Sequence, residues 1–415
     1  MCGEIGVGAS PLVHRRCSIL LFSIAVSVAT GLLSLAAFAE YVQSQTESQR
    51  DRPQFRVFLP LTNFYSTPRP LPSGKPGELI RSEEFDEYQL PEGVSAFRIL
   101  YHSRSASGSD VAASGVVLTP DQPPPAGGWP VIAWAHGFTG IARHCAPSLM
   151  RNLNEGPFLT MYVKLGYAVV ATDYVGLGTD FRNASVDMQS NAADVIHSIA
   201  AARAAVPRLG RKWVAIGESA GGLAALAVAE LESDIRDPDY LGGIAISGIA
   251  DAEDFYQQAA KGNSPSQLVV LAYEVQTVYP SFQANQMLTQ KAFALYRQLE
   301  KACSVASRDS DTAAPQMLKL GWQGNRFVEQ FFARNTIGRQ PAYGPLLLVS
   351  SDADPAARMG MTARAVARLC KQRNAVQFHE YQSSEFAGVL GDSVRDQLTW
   401  IQARFAGRPA PSNCH

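Results

Sequence analysis

The sequence predicts an α/β fold: a central, mostly parallel sheet flanked by helices, with a helical cap inserted between two of its strands. Three observations predict it. Short apolar runs such as WPVIAWAHG, GYAVVATDYVGLG and RKWVAIG read as strands buried on both faces, the pattern of a parallel sheet. Helical segments alternate with them, among them DMQSNAADVIHSIAAARAAV and AGGLAALAVAELES. From 251 to 340 the alternation breaks, leaving several helical segments and no clear buried strand.

The elements follow in order. His14, Arg15 and Arg16 precede the uncharged apolar run SILLFSIAVSVATGLLSLAAF, and AFA at 37–39 supplies small residues at a cleavage site before Glu40. That is the pattern of a signal peptide over 1–39, and it implies a secreted or periplasmic protein. The alternative is a membrane anchor through residues 18–38, a run near the ~20 residues that span a bilayer. No later segment is long and apolar enough to span. Residues 40–95, rich in Pro, Ser and charge, read as an extended arm. The first part of the core runs from 96 to 250. FRILYHS and ASGVVLTP are β-rich and separated by a turn, and NEGPFLTMYVKL is a helix between two buried strands. The cap, 251–340, contains SPSQLVVLAYEV, where Ser264, Pro265 and Gln267 form a capping-box start. The second part of the core, 341–415, has strands YGPLLLVSSDAD and AVQFHEY around the helix TARAVARLCKQ, and closes on the helix DSVRDQLTWIQARFAG.

Composition narrows the function. The chain has 415 residues, 46% hydrophobic and 18% charged, with a formal net charge of −1. Such a chain builds a sizeable core and offers no basic field for nucleic acid. Cys2 and Cys17 leave with the signal, so Cys145, Cys303, Cys370 and Cys414 remain, with three pairings open. Without a C-x-x-C spacing no zinc site is expected, and no cofactor is expected either. Asn183-Ala184-Ser185 matches a glycosylation sequon, a tripeptide common by chance.

The chemistry concentrates in GESAG at 217–221. A G-x-S-x-G between a strand (WVAI) and a helix (GLAALAVAEL) is a nucleophile elbow with Ser219 as the nucleophile. A Cβ at 217 or 221 would crowd the neighbouring strand and helix. AWAHGFTG at 133–140 lies where one oxyanion-hole donor originates, with Phe138 or a neighbour supplying it and the Ala220 N–H the other. His136 in that loop reads as a loop-orienting residue rather than a base. In LLLVSSDADPAARM both Asp352 and Asp354 follow a late strand, and Asp354 before Pro355 is the favoured triad acid. The same chain order calls for a histidine after the last strand. His379 lies mid-strand, His415 is terminal, and His102, His144 and His197 are out of order. The loop YQSSEFAGVLG contains no histidine.

The sequence resembles the secretory lipases of the α/β-hydrolase superfamily, from FYSTP at 64 to Cys414. The shared stretches are SGVVLTP, WAHGFTG followed by CAPS, GYAVVATDYVGLG, GESAGG and RFAGRPAPSNC. The resemblance implies a secreted ester hydrolase with a helical cap, and it supports Ser219 and Asp354 as nucleophile and acid. The acid's loop usually has Gly where this chain has Ser351. The residue matching the family's histidine is Phe386. The expected function is therefore a lipase-like hydrolase of hydrophobic esters, impaired by the missing base. The alternative is an inactive relative that binds a lipid or ester. The expected pairings are Cys145–Cys303, tying the oxyanion loop to the cap, and Cys370–Cys414, tying the last sheet helix to the tail. The chain is expected to be monomeric.

Overall fold

The computed structural model describes residues 57–184, 186–262, 265–303, 316–353, 360–382 and 388–414. The expected signal peptide over 1–39, Ser264 and His415 lie outside these residues.

Nine strands form one sheet: β1 (Leu79–Glu84), β2 (Val94–Arg104), β3 (Asp110–Pro120), β4 (Trp129–Ala135), β5 (Ala168–Thr172), β6 (Leu209–Glu218), β7 (Tyr240–Ile246), β8 (Leu346–Ser351) and β9 (Val376–Tyr381). Their spatial order is β1-β2-β3-β5-β4-β6-β7-β8-β9. The pairings β1/β2, β2/β3 and β3/β5 are antiparallel, and all later ones are parallel. Ile132 and Ala133 on β4 and Val214 and Ala215 on β6 are completely buried, as strands covered on both faces require.

The sheet starts earlier than the sequence suggested. Part of the expected arm, Leu79–Glu84, is an edge strand, and Tyr65 in the 3-10 turn Asn63–Tyr65 is fully buried. LIRSEE carries no continuous apolar run because an edge strand keeps one side in water. The apolar signature used for the inner strands cannot detect it.

Helices cover the sheet. α1 (Gly156–Lys164) packs on β3 and β5, while α2 (Met188–Ala205) and α3 (Ala220–Ile235) pack on each other and on the sheet. Small alanines let α2 and α3 approach closely: Ala201, Ala202, Ala224 and Ala225 are all buried in the main core.

Between β7 and β8 the chain forms α4 (Ala252–Lys261), α5 (Pro265–Val278), α6 (Gln290–Tyr296) and α7 (Arg326–Arg334). These helices own a second core, which includes Tyr256, Leu271, Phe282, Met287 and Phe331. Polar contacts seat them on the first core. Arg334 donates from Nε (2.5 Å) and Nη2 (2.9 Å) to Asp187, the N-cap of α2. Asn335 accepts from the Met188 amide at 2.7 Å, and Arg182 lies 4.3 Å from the Tyr273 ring centre. A disulfide joins Cys145 to Cys303.

The chain ends with α8 (Met361–Lys371), β9, α9 (Val389–Asp392) and α10 (Val394–Phe405). A second disulfide joins Cys370 to Cys414. It holds the tail along β9: the Asn413 amide donates to Val376 O, and its side chain accepts from Phe378 N and donates to Phe378 O, all at 2.8–2.9 Å.

Candidate active site

Ser219 sits at the turn between β6 and α3. Its backbone has φ 56° and ψ −118°, a conformation that costs a non-glycine residue of order 1–3 kcal/mol and persists only when neighbours enforce it. The neighbours do. The Ser219 amide donates to Ile246 O at 2.9 Å. A Cβ on Gly217 would lie 2.0 Å from Gly221 O, and one on Gly221 would lie 1.9 Å from Ala135 O. The glycines let β4, β6 and α3 converge, and their convergence forces the serine outward. Ser219 is half-buried, and its side chain has no hydrogen-bond partner among the described residues. The first amides of α3 lack intrahelical acceptors and favour negative charge in front of them. Ala220 is the first of these.

The loop after β4 runs alongside. A Cβ on Gly137 would lie 3.4 Å from the Ser219 Cβ and 2.8 Å from Glu218 Oε2, so this backbone borders Ser219. Phe138 is the next residue, with 40% of its surface exposed. His136 is buried. Its Nδ1 lies 2.6 Å from Gly137 O and its Nε2 3.3 Å from Asp173 O, while the Tyr174 hydroxyl donates to its carbonyl at 3.1 Å. Burial pushes its pKa down to about 4, so the ring is neutral near pH 7. A neutral imidazole has one N–H, and the shorter contact takes it. His136 is thereby occupied with the backbone of its own loop.

Asp173, which supplies one of those carbonyls, went unrecognised in the sequence. Its buried carboxylate accepts from Ser114 Oγ (2.6 Å), Ser148 Oγ (2.5 Å) and Ser148 N (2.8 Å). The signal was an acid directly after a buried strand. The three donors come from distant segments, which is why it was missed.

Asp352 follows β8, and its amide donates to Tyr381 O at 3.1 Å. Asp354, the favoured acid, and Phe386, at the histidine position, lie outside the described residues. No described histidine is hydrogen-bonded to Ser219. His379 Nδ1 pairs with Asp396 at 2.8 Å, and Asp396 also accepts from the Tyr381 hydroxyl at 2.6 Å. His102 pairs with Asp110, His197 contacts Ser103 Oγ at 3.0 Å, and His144 meets the Phe58 ring edge-on.

Donor atoms of His144, Cys145 and Cys303 lie within 4.8 Å of one another. Both sulfurs are in a disulfide, so neither offers the thiolate a metal needs. The sequon asparagine is equally committed. Asn183 is 1% exposed, and its amide donates to Val175 O at 2.8 Å, leaving no room for a glycan on the folded chain. Among the described residues no helix is long and apolar enough to cross a membrane.

Known proteins share this architecture. Candida antarctica lipase A superposes with a TM-score of 0.75 at 16% identity, covering 86% of this chain and 89% of that one. The rice cell wall degrading esterase LipA from Xanthomonas oryzae gives 0.63 at 18%, covering 80% and 97%. At such identities the likeness is one of fold, and the fold is that of the α/β-hydrolases. In sequence, Lipase 6 of Candida albicans is 23% identical over 402 residues, 85% of this chain and 82% of that protein. The profile of the family described as secretory lipase matches residues 154–413, a span that holds the elbow, the cap and the last strands. The chain belongs to the secretory lipase family.

Proposed function

We propose that the protein is a secreted, lipase-like carboxylic-ester hydrolase that reacts through Ser219 and turns over slowly because Phe386 stands where the family has its histidine. The observation that carries this reading is the strained Ser219 elbow. A fold keeps φ 56° at a serine, with glycines at 217 and 221 that admit no Cβ, when the half-buried hydroxyl has a task.

In the reaction, Ser219 Oγ attacks the ester carbonyl and its proton passes to solvent water. The Phe138 and Ala220 amides receive the oxyanion. The carbonyl re-forms, the alcohol departs with a proton from water, and water then hydrolyses the acyl-enzyme. Asp354 is the triad acid, without a histidine to orient. Losing the histidine of a serine protease costs about 2 × 10⁶ in kcat, and roughly 10³–10⁴ over water survives from the oxyanion hole and binding. A hydrophobic ester fits the family and the apolar cap, and residues 1–39 act as a signal peptide.

The test is hydrolysis of p-nitrophenyl butyrate by the wild type, Ser219→Ala and Phe386→His. Slow wild-type turnover, raised several orders of magnitude by Phe386→His in a gain that Ser219→Ala removes, is the expected result. Robust wild-type activity that His379→Ala or His136→Ala abolishes would assign the base to another histidine. A folded Phe386→His variant without gain would favour the second reading, a protein that holds a lipid or ester without cleaving it. Intact-mass analysis of exported protein tests cleavage after Ala39.

A further inference from the structure

We infer that the Cys145–Cys303 bridge and Gly140 form a positioning device for the oxyanion loop, coupling the seating of the cap to the placement of the donors beside Ser219. The inference rests on the assignment of Ser219 as nucleophile.

The loop from His136 to Gly140 is fixed at both ends. At the first, Ala135 pairs with Gly217 in the sheet, the buried His136 ring is bonded to Gly137 O, and the Tyr174 hydroxyl donates to the His136 carbonyl. At the second, Gly140 has φ +121° and no free volume. A Cβ there would meet Cys303 Cα at 2.7 Å, Cys303 O at 2.8 Å and Cys145 Sγ at 2.9 Å. The loop's end is thus wedged against the bridge and the cap backbone it carries.

The Cys145 half of the bridge is itself anchored. Cys145 closes a 3-10 turn through its amide to Ala142 O at 2.8 Å, and it is buried with Phe64, Tyr65, Leu100 and Leu149. The adjacent Arg143 donates to Gly178 O and Tyr65 O at 2.8 and 3.0 Å. Cys303 follows the cap turn Leu299–Lys301.

Only Phe138 and Thr139 separate the glycine beside the nucleophile from the glycine beside the bridge. With both ends held, a shift of the cap backbone at Cys303 passes to the Phe138 amide, because so short a segment has no slack. A displacement near 1 Å is enough to cost about 10²-fold in rate, and losing one oxyanion donor costs 10²–10³. A bridge that served stability alone would leave the transition state untouched.

The experiment compares Gly140→Ala, which keeps the bridge and crowds it, with the double variant Cys145→Ala/Cys303→Ala, which removes it. The first readout is amide hydrogen exchange of residues 137–140 against that of α3. The second is kcat and KM for p-nitrophenyl butyrate in the Phe386→His background. Exchange at 137–140 is expected to rise at least tenfold with α3 unchanged, and kcat to fall ten- to a hundredfold with KM within threefold. Unchanged exchange at 137–140 overturns the inference. So does protection lost evenly across the core, or an effect confined to KM. If Gly140→Ala fails to fold, the double variant decides, since it lifts the steric demand. If Phe386→His itself is inactive, the nucleophile assignment fails, and the exchange data alone decide whether the bridge positions the loop.

Discussion

Glu232 on α3 sets a test of how this core responds to pH. Its side chain is fully buried; Oε2 accepts from the Asp237 amide at 2.9 Å, while Oε1 has no partner among the described residues. Burial, the largest cause, raises its pKa from 4.5 to about 7, with the Asp237 charge adding to it and the Asp237 amide opposing. The folded state therefore holds a proton that the unfolded chain has released. A raised pKa means full stability below about 4.5, lost progressively as pH rises through about 7. At 1.36 kcal/mol per pH unit, the span from 4.5 to about 7 sets an upper bound of about 3 kcal/mol. Residues 55–415 unfold with roughly 0.8 kcal/mol/K of entropy on the per-residue average, so this is roughly 4 °C in Tm. Glu232→Gln keeps an acceptor for Asp237 N–H and removes the charge. Scanning calorimetry is expected to show wild type and variant melting within about 1 °C of each other at pH 5, and the variant melting up to about 4 °C higher at pH 8. Parallel pH profiles would refute the reasoning, because they would mean that Glu232 ionises without penalty.

Two further outcomes are expected. Gly221→Ala puts a Cβ 1.9 Å from Ala135 O, a backbone atom that cannot step aside, so it should destabilise by several kcal/mol and lose soluble yield, measured by expression and thermal midpoint. His379→Ala should change ester turnover less than twofold and stability by under about 1 kcal/mol, since its partner Asp396 is about one-third exposed, in steady-state kinetics and melting respectively.

The sequence made some of this legible and hid the rest for identifiable reasons. The parallel strands announce themselves because burial on both faces demands unbroken apolar runs, as in VIAWA and WVAI. The elbow announces itself because its geometry tolerates only small residues around Ser219. The helices between β7 and β8 showed as a stretch with apolar faces but no sheet rhythm, and in the structure those faces make a core of their own. β1 stayed hidden because an edge strand is half solvated. Asp173 and Gly140 stayed hidden because their meaning depends on contacts with Ser148 and Cys303, and no local pattern encodes a partner so far along the chain.

The tail along β9 has a consequence for biosynthesis. β9 ends the sheet, and a bare strand edge invites pairing with another chain. Here the amide and side chain of Asn413 satisfy Val376 and Phe378 as a tenth strand would, and Cys414 pins that mimic in place. Asn413 follows every strand in the chain, so during synthesis the sheet is complete before its edge is sealed. Oxidation of Cys370 and Cys414 then ties the sealing segment to α8. A chain with Cys370 and Cys414 reduced has this cover held by hydrogen bonds alone, open to competition from intermolecular β-pairing, and oxidation of the pair fixes it.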